Sequence, residues 1–250
     1  MRHRRRTAAE VAPTVLFVVN DPIATEAMLG SVFRDRGFGV AAMEVVPAGR
    51  VDDPCVTVSF PDPQRYDAIA VLGARWAVYD DELQRNWISQ EVRFVRDADA
   101  AGIPVLGICF GGQLLAHAFG GSVTRSTAPE IGWFPVESDR DDVVPGGQWF
   151  QWHFDRWALP PGATEIARNG NASQAFALRR MLAVQFHPEL DSSLLALWLD
   201  HDRDEVIEAG IDPNELLCRT AELEKDSASR LGALVDGFLA SATPGAQPGA

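Results

Sequence analysis

Val105-Leu106-Gly107-Ile108-Cys109-Phe110-Gly111-Gly112-Gln113 decides how this chain folds. An apolar run ends in Gly-x-Cys-x-Gly and passes directly into the amphipathic segment Leu114 to Phe119. Such an order predicts a buried strand, a sharp turn and a helix. Cys109 sits at the turn, where the backbone is strained and flanking glycines leave the room a Cβ would fill. Its side chain then stands at the carboxyl edge of the sheet, where open α/β sheets place ligands. It also stands at a helix N-terminus, whose partial positive charge favours thiolate over thiol. Cys109 is therefore a candidate nucleophile. The competing possibility is a buried structural cysteine, the commoner fate of a free thiol.

Outward from this turn, the first half alternates strand and helix at intervals of roughly 30 residues, the spacing of right-handed βαβ crossovers. Strands are expected over 14–19, 40–46, 66–72 and 103–108, with a minor strand over 56–60. Helices are expected from Asp21-Pro22 to Arg36 and over 83–100, the second capped by Asp80-Asp81-Glu82. After Gly120-Gly121 the rhythm shortens. Runs at 122–125, 132–137, 149–154, 165–168 and 174–177 read as short strands, some antiparallel, beside the core. Residues 182–186 form a further strand, 192–199 a helix, and 202–239 a charged, mostly helical stretch. The expected fold is α/β, an open and mostly parallel sheet flanked by helices, with added antiparallel strands and a helical C-terminal extension. The expected division is a basic disordered tail (1–12), one domain (13–200), a helical extension packed on it (201–240) and a Pro/Gly/Ala-rich disordered tail (241–250).

The 250 residues suffice for one good-sized domain with its own core. A formal net charge of −13 argues against nucleic acid as a partner, since phosphate binding needs a basic face. The 3 cysteines, Cys55, Cys109 and Cys218, are far apart and form no C-x-x-C. They suggest neither a disulfide framework nor a zinc site, and a reduced, cytoplasmic compartment fits them. The basic Arg2 to Arg6 and apolar Val15 to Val19 do not make a signal peptide, because Glu10 and Pro13 interrupt the region. No stretch is long enough to cross a membrane. No metal or other cofactor is implied, since the histidines lack ligand spacing.

A thiolate nucleophile needs a base, and the base needs an orienting acceptor. Of the 5 histidines, His3 lies in the tail, His201 in a charged run, and His117 on the turn helix as a packing residue. His153 and His187 remain. His187 comes straight off the strand 182–186, so that strand's end and the Cys109 turn share one sheet edge if both join the same sheet. Pro188 forces an extended turn, and Glu189 reaches back to the imidazole nitrogen facing away from Cys109. Alone, His-Pro-Glu is a plausible surface turn; beside the cysteine turn it reads as a base and its orienter.

Gly107 to Gln113 and Gln185-Phe186-His187-Pro188-Glu189, in this order and separation, resemble the class I (triad-type) glutamine amidotransferase domain over roughly residues 14 to 200. Val78 to Asp81, Glu130-Ile131-Gly132-Trp133 and Gln151-Trp152-His153-x-Asp155 are similar to stand-alone members akin to the glutaminase domain of GMP synthase. The resemblance implies a flavodoxin-like architecture and a Cys-His-Glu triad. Cys109 would attack the side-chain amide of L-glutamine, or of another γ-glutamyl compound, His187 would pass protons, and Glu189 would orient His187. A thioester would form and hydrolyse, with ammonia going to a separate synthetase. The alternatives are a γ-glutamyl peptide or amine hydrolase with the same triad, and a non-catalytic regulatory subunit.

The resemblance also implies an oxyanion hole from the Phe110 N–H and the Gly73-Ala74-Arg75 loop. Where the family usually has a Gly/Pro turn, this chain has Ala74 and Arg75, which resist positive φ. The loop is thus expected to present its N–H differently, or to send Arg75 into the pocket to bind a carboxylate. Gln113 lies one turn past Cys109 on the same helix face; in the family it helps hold the substrate, and otherwise it is an exposed helix glutamine. His153 and Asp155 sit in an aromatic loop. They either line the substrate mouth, as family position implies, or belong to a packed loop with a satisfied histidine.

Overall fold

A computed structural model describes residues 12–241, so nearly all of the two expected tails lies outside the described residues. β1 (Thr14–Val19) leads to α1 (Ala27–Asp35), β2 (Gly39–Glu44) and β3 (Ala68–Val71). The next helical stretch has three parts: α2 (Asp81–Leu83), a π-helical turn at Gln84–Ile88, and α3 (Ser89–Ala100). β4 (Val105–Ile108) runs into α4 (Phe110–Ala118). The long strands β5 (Ser122–Ser138) and β6 (Gly147–Ala158) pair as a hairpin. β7 (Thr164–Arg168), β8 (Ser173–Leu178), β9 (Met181–Val184), α5 (Ser192–Glu208) and α6 (Pro213–Ser241) follow.

The strands make one mixed sheet in the order β2-β1-β3-β4-β9-β8-β7-β5-β6. From β2 to β9 every pairing is parallel, and from β9 to β6 every pairing is antiparallel. The antiparallel half is thus more extensive than the short runs of sequence suggested. Both faces of the parallel half are covered, which is why its strands are apolar throughout. In β1, Val15, Phe17 and Val19 pack with Leu29 and Phe33 of α1 and Leu231 and Phe238 of α6. Leu16 and Val18 point the other way, into a core with Trp87, Val95, Leu114 and Leu115. A third cluster joins Phe150 of β6 to Leu194, Leu195 and Trp198 of α5.

Three expectations are corrected. The first helix begins at Ala27, not at Asp21-Pro22. Asp21 makes a turn instead: its carboxylate accepts from the Ile23 N–H at 3.2 Å and its carbonyl from the Ala24 N–H at 2.9 Å. Residues 56–60 form no strand. Their alternation is real, since Val56, Val58 and Phe60 pack on the core and Phe60 stacks on Phe94, but no neighbouring strand pairs with them. The runs 122–125 and 132–137 are one strand, β5, with a register shift between Arg125 and Glu130. Pro129, which lacks an N–H, falls inside that bulge.

A buried pair lies where β1 ends. Asn20 and Glu91 of α3 are both fully buried, and Asn20 Nδ2 donates to Glu91 Oε1 at 3.2 Å. Asn20 Oδ1 and Glu91 Oε2 have no protein partner. Burial raises Glu91 from an ordinary 4.5 to about 8, against the opposing Asn20 hydrogen bond. The protonated acid supplies the hydroxyl that Asn20 Oδ1 lacks. A raised folded-state value means a contribution fully present below about pH 4.5 and lost as pH rises through about 8. Glu91→Gln carries no such charge. Thermal melts should show wild type falling behind Glu91→Gln as pH goes from 5 to 9, by a few kcal/mol. Parallel melting curves across that range would contradict this.

Candidate functional site

Because β1, β3, β4 and β9 are parallel neighbours, their carboxyl ends share one edge, and the site is built there. β4 ends at Ile108, and Cys109 caps α4 with φ +50° and ψ −106°. This is a strained conformation for a side chain bearing Cβ. It is held by the Cys109 N–H donating to the Val184 carbonyl at 2.8 Å and by the Gln113 N–H donating to the Cys109 carbonyl at 3.0 Å. The glycines around it are obligatory. A Cβ on Gly107 would come within 2.6 Å of the Gly111 carbonyl oxygen, and one on Gly111 would collide with the Val71 carbonyl.

β9 pairs with β4 so that Val184 faces Ile108, and three residues later the chain reaches His187. The His187 N–H donates to the Phe150 carbonyl of β6 at 2.8 Å. Its ring is wedged between two neighbours: Trp198 of α5, edge-on with centroids 4.8 Å apart, and Gly73 at the end of β3. A Cβ on Gly73 would sit 3.0 Å from His187 Cε1 and 3.7 Å from Cys109 Cβ. His187 Nδ1 lies 2.8 Å from Glu189 Oε1, and Glu189 is buried with no other partner for Oε2. That geometry assigns the Nδ1 proton toward the carboxylate and leaves Nε2 for the sulfur. Burial pushes the His187 proton affinity down, but the Glu189 carboxylate and Cys109 outweigh it and raise the ring to about 10. Cys109, His187 and Glu189 are therefore brought together as one unit.

The oxyanion candidates divide. Phe110 is the first residue of α4, so its N–H has no acceptor within the helix. Gly73 and Ala74 line the pocket beside Cys109. Arg75 is a correction: its N–H donates to Asp21 Oδ2 at 3.3 Å and is not free for a substrate oxygen. Its side chain binds carboxylates, but those of this chain, with Nε 2.7 Å from Asp21 and Nη1 3.6 Å from Asp202 at the kink of α5. Ala74 and Arg75 avoid positive φ, so the loop has no left-handed residue.

Gln113 is buried rather than exposed, and its Nε2 is spent on the Asp155 carbonyl and on Gln185 Oε1, both at 3.3 Å. His153 and Asp155 lie in strand β6, not in a loop. The His153 Nδ1 lies 3.0 Å from the Asp155 carbonyl and its Nε2 3.1 Å from Glu130, so both ring nitrogens are engaged. Burial would raise the Glu130 carboxyl, but His153, Asn171 and Asn169 overcome this and hold it below its ordinary value. His153 is thus a satisfied histidine in the pocket wall. Asp155 accepts from Tyr79 Oη at 3.0 Å and lies 3.9 Å from Arg125. Sequence inspection missed Trp198, Gln185, Asp21 and the α5 carboxylates. Of these only Gln185 carried a signal, its place in the strand-end motif before His187.

The pocket encloses about 520 Å³ and runs from Cys109, Gln113 and His187, past Trp152 and Arg125, to Asp202, Glu205 and Glu208. Among the described residues no group of three or more His, Cys, Asp or Glu side chains is placed to hold a metal ion. No helix there is long and apolar enough to cross a membrane.

Known proteins share this geometry. A family model for "Glutamine amidotransferase class-I" matches residues 52–196. The chain is 26% identical over 229 residues to a glutamine-hydrolyzing GMP synthase of Wolbachia pipientis, covering 83% of this chain and 42% of that one. It is 35% identical over 134 residues to a separately encoded component of the glutamine-hydrolyzing GMP synthase of Sulfurisphaera tokodaii, covering 50% of this chain and 68% of that one. It thus spans less than half the length of the undivided GMP synthases among its curated relatives. A crystal structure of a glutamine amidotransferase from Thermotoga maritima superposes with a TM-score of 0.80 at 26% identity, covering 92% of this chain and 99% of that one.

Proposed function

The chain belongs to the class-I glutamine amidotransferase family, and from that premise we propose that it hydrolyses the side-chain amide of L-glutamine through a Cys109 thioester. The observation that carries this is a single arrangement: a cysteine in a strained turn, facing a histidine whose far nitrogen is held by a buried carboxylate. The Cys109 thiolate attacks the amide carbon. The oxyanion is received by the Phe110 N–H and by Gly73 or Ala74. His187 gives its proton to the departing ammonia, then takes one from the water that hydrolyses the thioester. Gln113 keeps Oε1 for the substrate, since its Nε2 is engaged. Similarity to one component of a divided GMP synthase supports release of the ammonia to a separate acceptor enzyme.

A second substrate class, γ-glutamyl amides larger than glutamine, is favoured by a pocket of about 520 Å³ that continues to the carboxylates of α5. Incubating the isolated chain with L-glutamine and with a series of γ-glutamyl amides, and measuring glutamate, tests both. Glutamate from any of them supports hydrolysis, and the preferred amide names the substrate. A chain inert toward all of them overturns the stand-alone reaction and favours the regulatory alternative.

Asp21 fixes the Gly73–Trp76 loop by binding both the N–H and the guanidinium of Arg75. Burial opposes the Arg75 charge, but Asp21 and Asp202 more than compensate and raise its pKa. Loss of one oxyanion donor typically costs about 100- to 1,000-fold, and a loosened donor costs less. Asp21→Ala should therefore lower kcat by about 10- to 100-fold. A kcat within twofold of wild type would show that the loop holds itself.

A further inference from the structure

We propose that Gln185 is a catalytic residue, whose side-chain N–H stabilises the Cys109 thiolate from the side opposite the substrate. The sulfur has two neighbours besides His187: the Trp152 carbonyl at 3.8 Å and Gln185 Nε2 at 3.7 Å. A carbonyl oxygen suits a thiol proton but repels a thiolate; an amide N–H does the reverse. Which end of Gln185 meets the sulfur is therefore decisive.

The network fixes that end. In the β4–β9 register Ile108 faces Val184, so the next residues, Cys109 and Gln185, are neighbours across the sheet. Gln185 is fully buried, and its Oε1 accepts from Gln113 Nε2 at 3.3 Å. The same Gln113 Nε2 donates to the backbone carbonyl of Asp155, which can only accept. A carbonyl of β6 thus dictates the orientation of Gln113, Gln113 dictates that of Gln185, and Gln185 turns its N–H toward sulfur. Reversing Gln185 would set donor against donor at Gln113 and oxygen against sulfur at Cys109. The Asp155 carbonyl is in turn engaged by His153, itself pinned by Glu130. His153 acts here as a positioning residue at the far end of the chain.

The role rests on the hydrolysis proposed above and adds the stabiliser of its charged sulfur. When the thioester is hydrolysed, the water oxygen bonds to the acyl carbon and its proton goes to His187. The C–S bond breaks and its electron pair returns to sulfur. Gln185 then meets a full thiolate, which lowers the barrier to its departure. It equally favours the thiolate before attack.

Iodoacetamide alkylation of Cys109, followed site by site with mass spectrometry across pH, reads the thiolate without any turnover. Gln185→Leu keeps the bulk and loses the donor. Its Cys109 should alkylate about 10-fold more slowly at neutral pH, as for a one-unit rise in thiol pKa. Gln113→Leu frees Gln185 to turn and should slow alkylation in the same sense by a smaller factor. Gln185→Glu, also close in size, places a carboxylate by the sulfur and should slow it at least as much as leucine does. Circular dichroism and melting temperature identify the folded variants, and any one of the three suffices. Unchanged Cys109 titration in a folded variant overturns the role of Gln185, as would loss of folding in all three, which would make the glutamine a structural plug. A slowed titration in a chain that releases no glutamate retains the role and overturns only the hydrolysis.

Discussion

Cys109→Ala should abolish glutamate release, by about 10⁴-fold or more, while leaving the fold intact. Removing the nucleophile of a cooperative triad costs nearly everything that the triad contributes, and what remains comes from the oxyanion donors and binding. The substitution removes one sulfur from a site whose shape is set by Gly107, Gly111 and the Cys109 backbone hydrogen bonds. Melting temperature should therefore change by only a few degrees. Cys109→Gly refines the point. Glycine accepts φ +50° without the strain carried by any residue with a Cβ, so it should be at least as stable as the alanine variant and equally inactive. Glutamate release by either variant at a tenth of the wild-type rate would remove Cys109 from the chemistry.

The second large effect falls on the base. His187→Asn removes the group that protonates the leaving ammonia and later deprotonates water. The expected loss is again about 10⁴-fold in kcat. Glu189→Gln keeps the shape but removes the buried charge that, with Cys109, raises His187 to about 10 against the opposing effect of burial. Wild type should keep its imidazolium, and its activity, until pH approaches 10. Without the carboxylate the ring gives up its proton at lower pH, so the alkaline limb of kcat/KM should move to lower pH in Glu189→Gln. A limb that stays in place would mean that the carboxylate does not hold the proton.

Much of this was legible in the residues. Gly-x-Cys-x-Gly after an apolar run forces the turn, because a Cβ at Gly107 or Gly111 has nowhere to go. His187-Pro188-Glu189 was legible because a strand running in parallel beside β4 must end at the same edge. The family resemblance and the α/β architecture agree with the family match and with the Thermotoga maritima structure. The length of β5 and β6 was hidden. In β6, His153, Asp155 and Trp157 are buried while Trp152 and Phe154 on the other face are partly covered by packing on the α5 cluster. Aromatics on both faces erase the polar–apolar alternation that marks a half-exposed strand. The ion pair of Arg75 with Asp21 spans 54 residues, and no local pattern announces it. The burial of Gln113 was hidden in the same way, since its partners, Asp155 and Gln185, are 42 and 72 residues away.

The central claim is that Cys109 is a nucleophile activated toward glutamine, and a chloroketone analogue of L-glutamine measures this most directly. Intact mass should show one adduct per chain, and peptide mapping should place it on Cys109. L-glutamine should protect against it, and Cys109→Ala should prevent it. The half-buried Cys55 and exposed Cys218 serve as internal controls of ordinary thiol reactivity. Labelling of Cys109 no faster than of Cys55 or Cys218, or without protection by glutamine, would contradict the account.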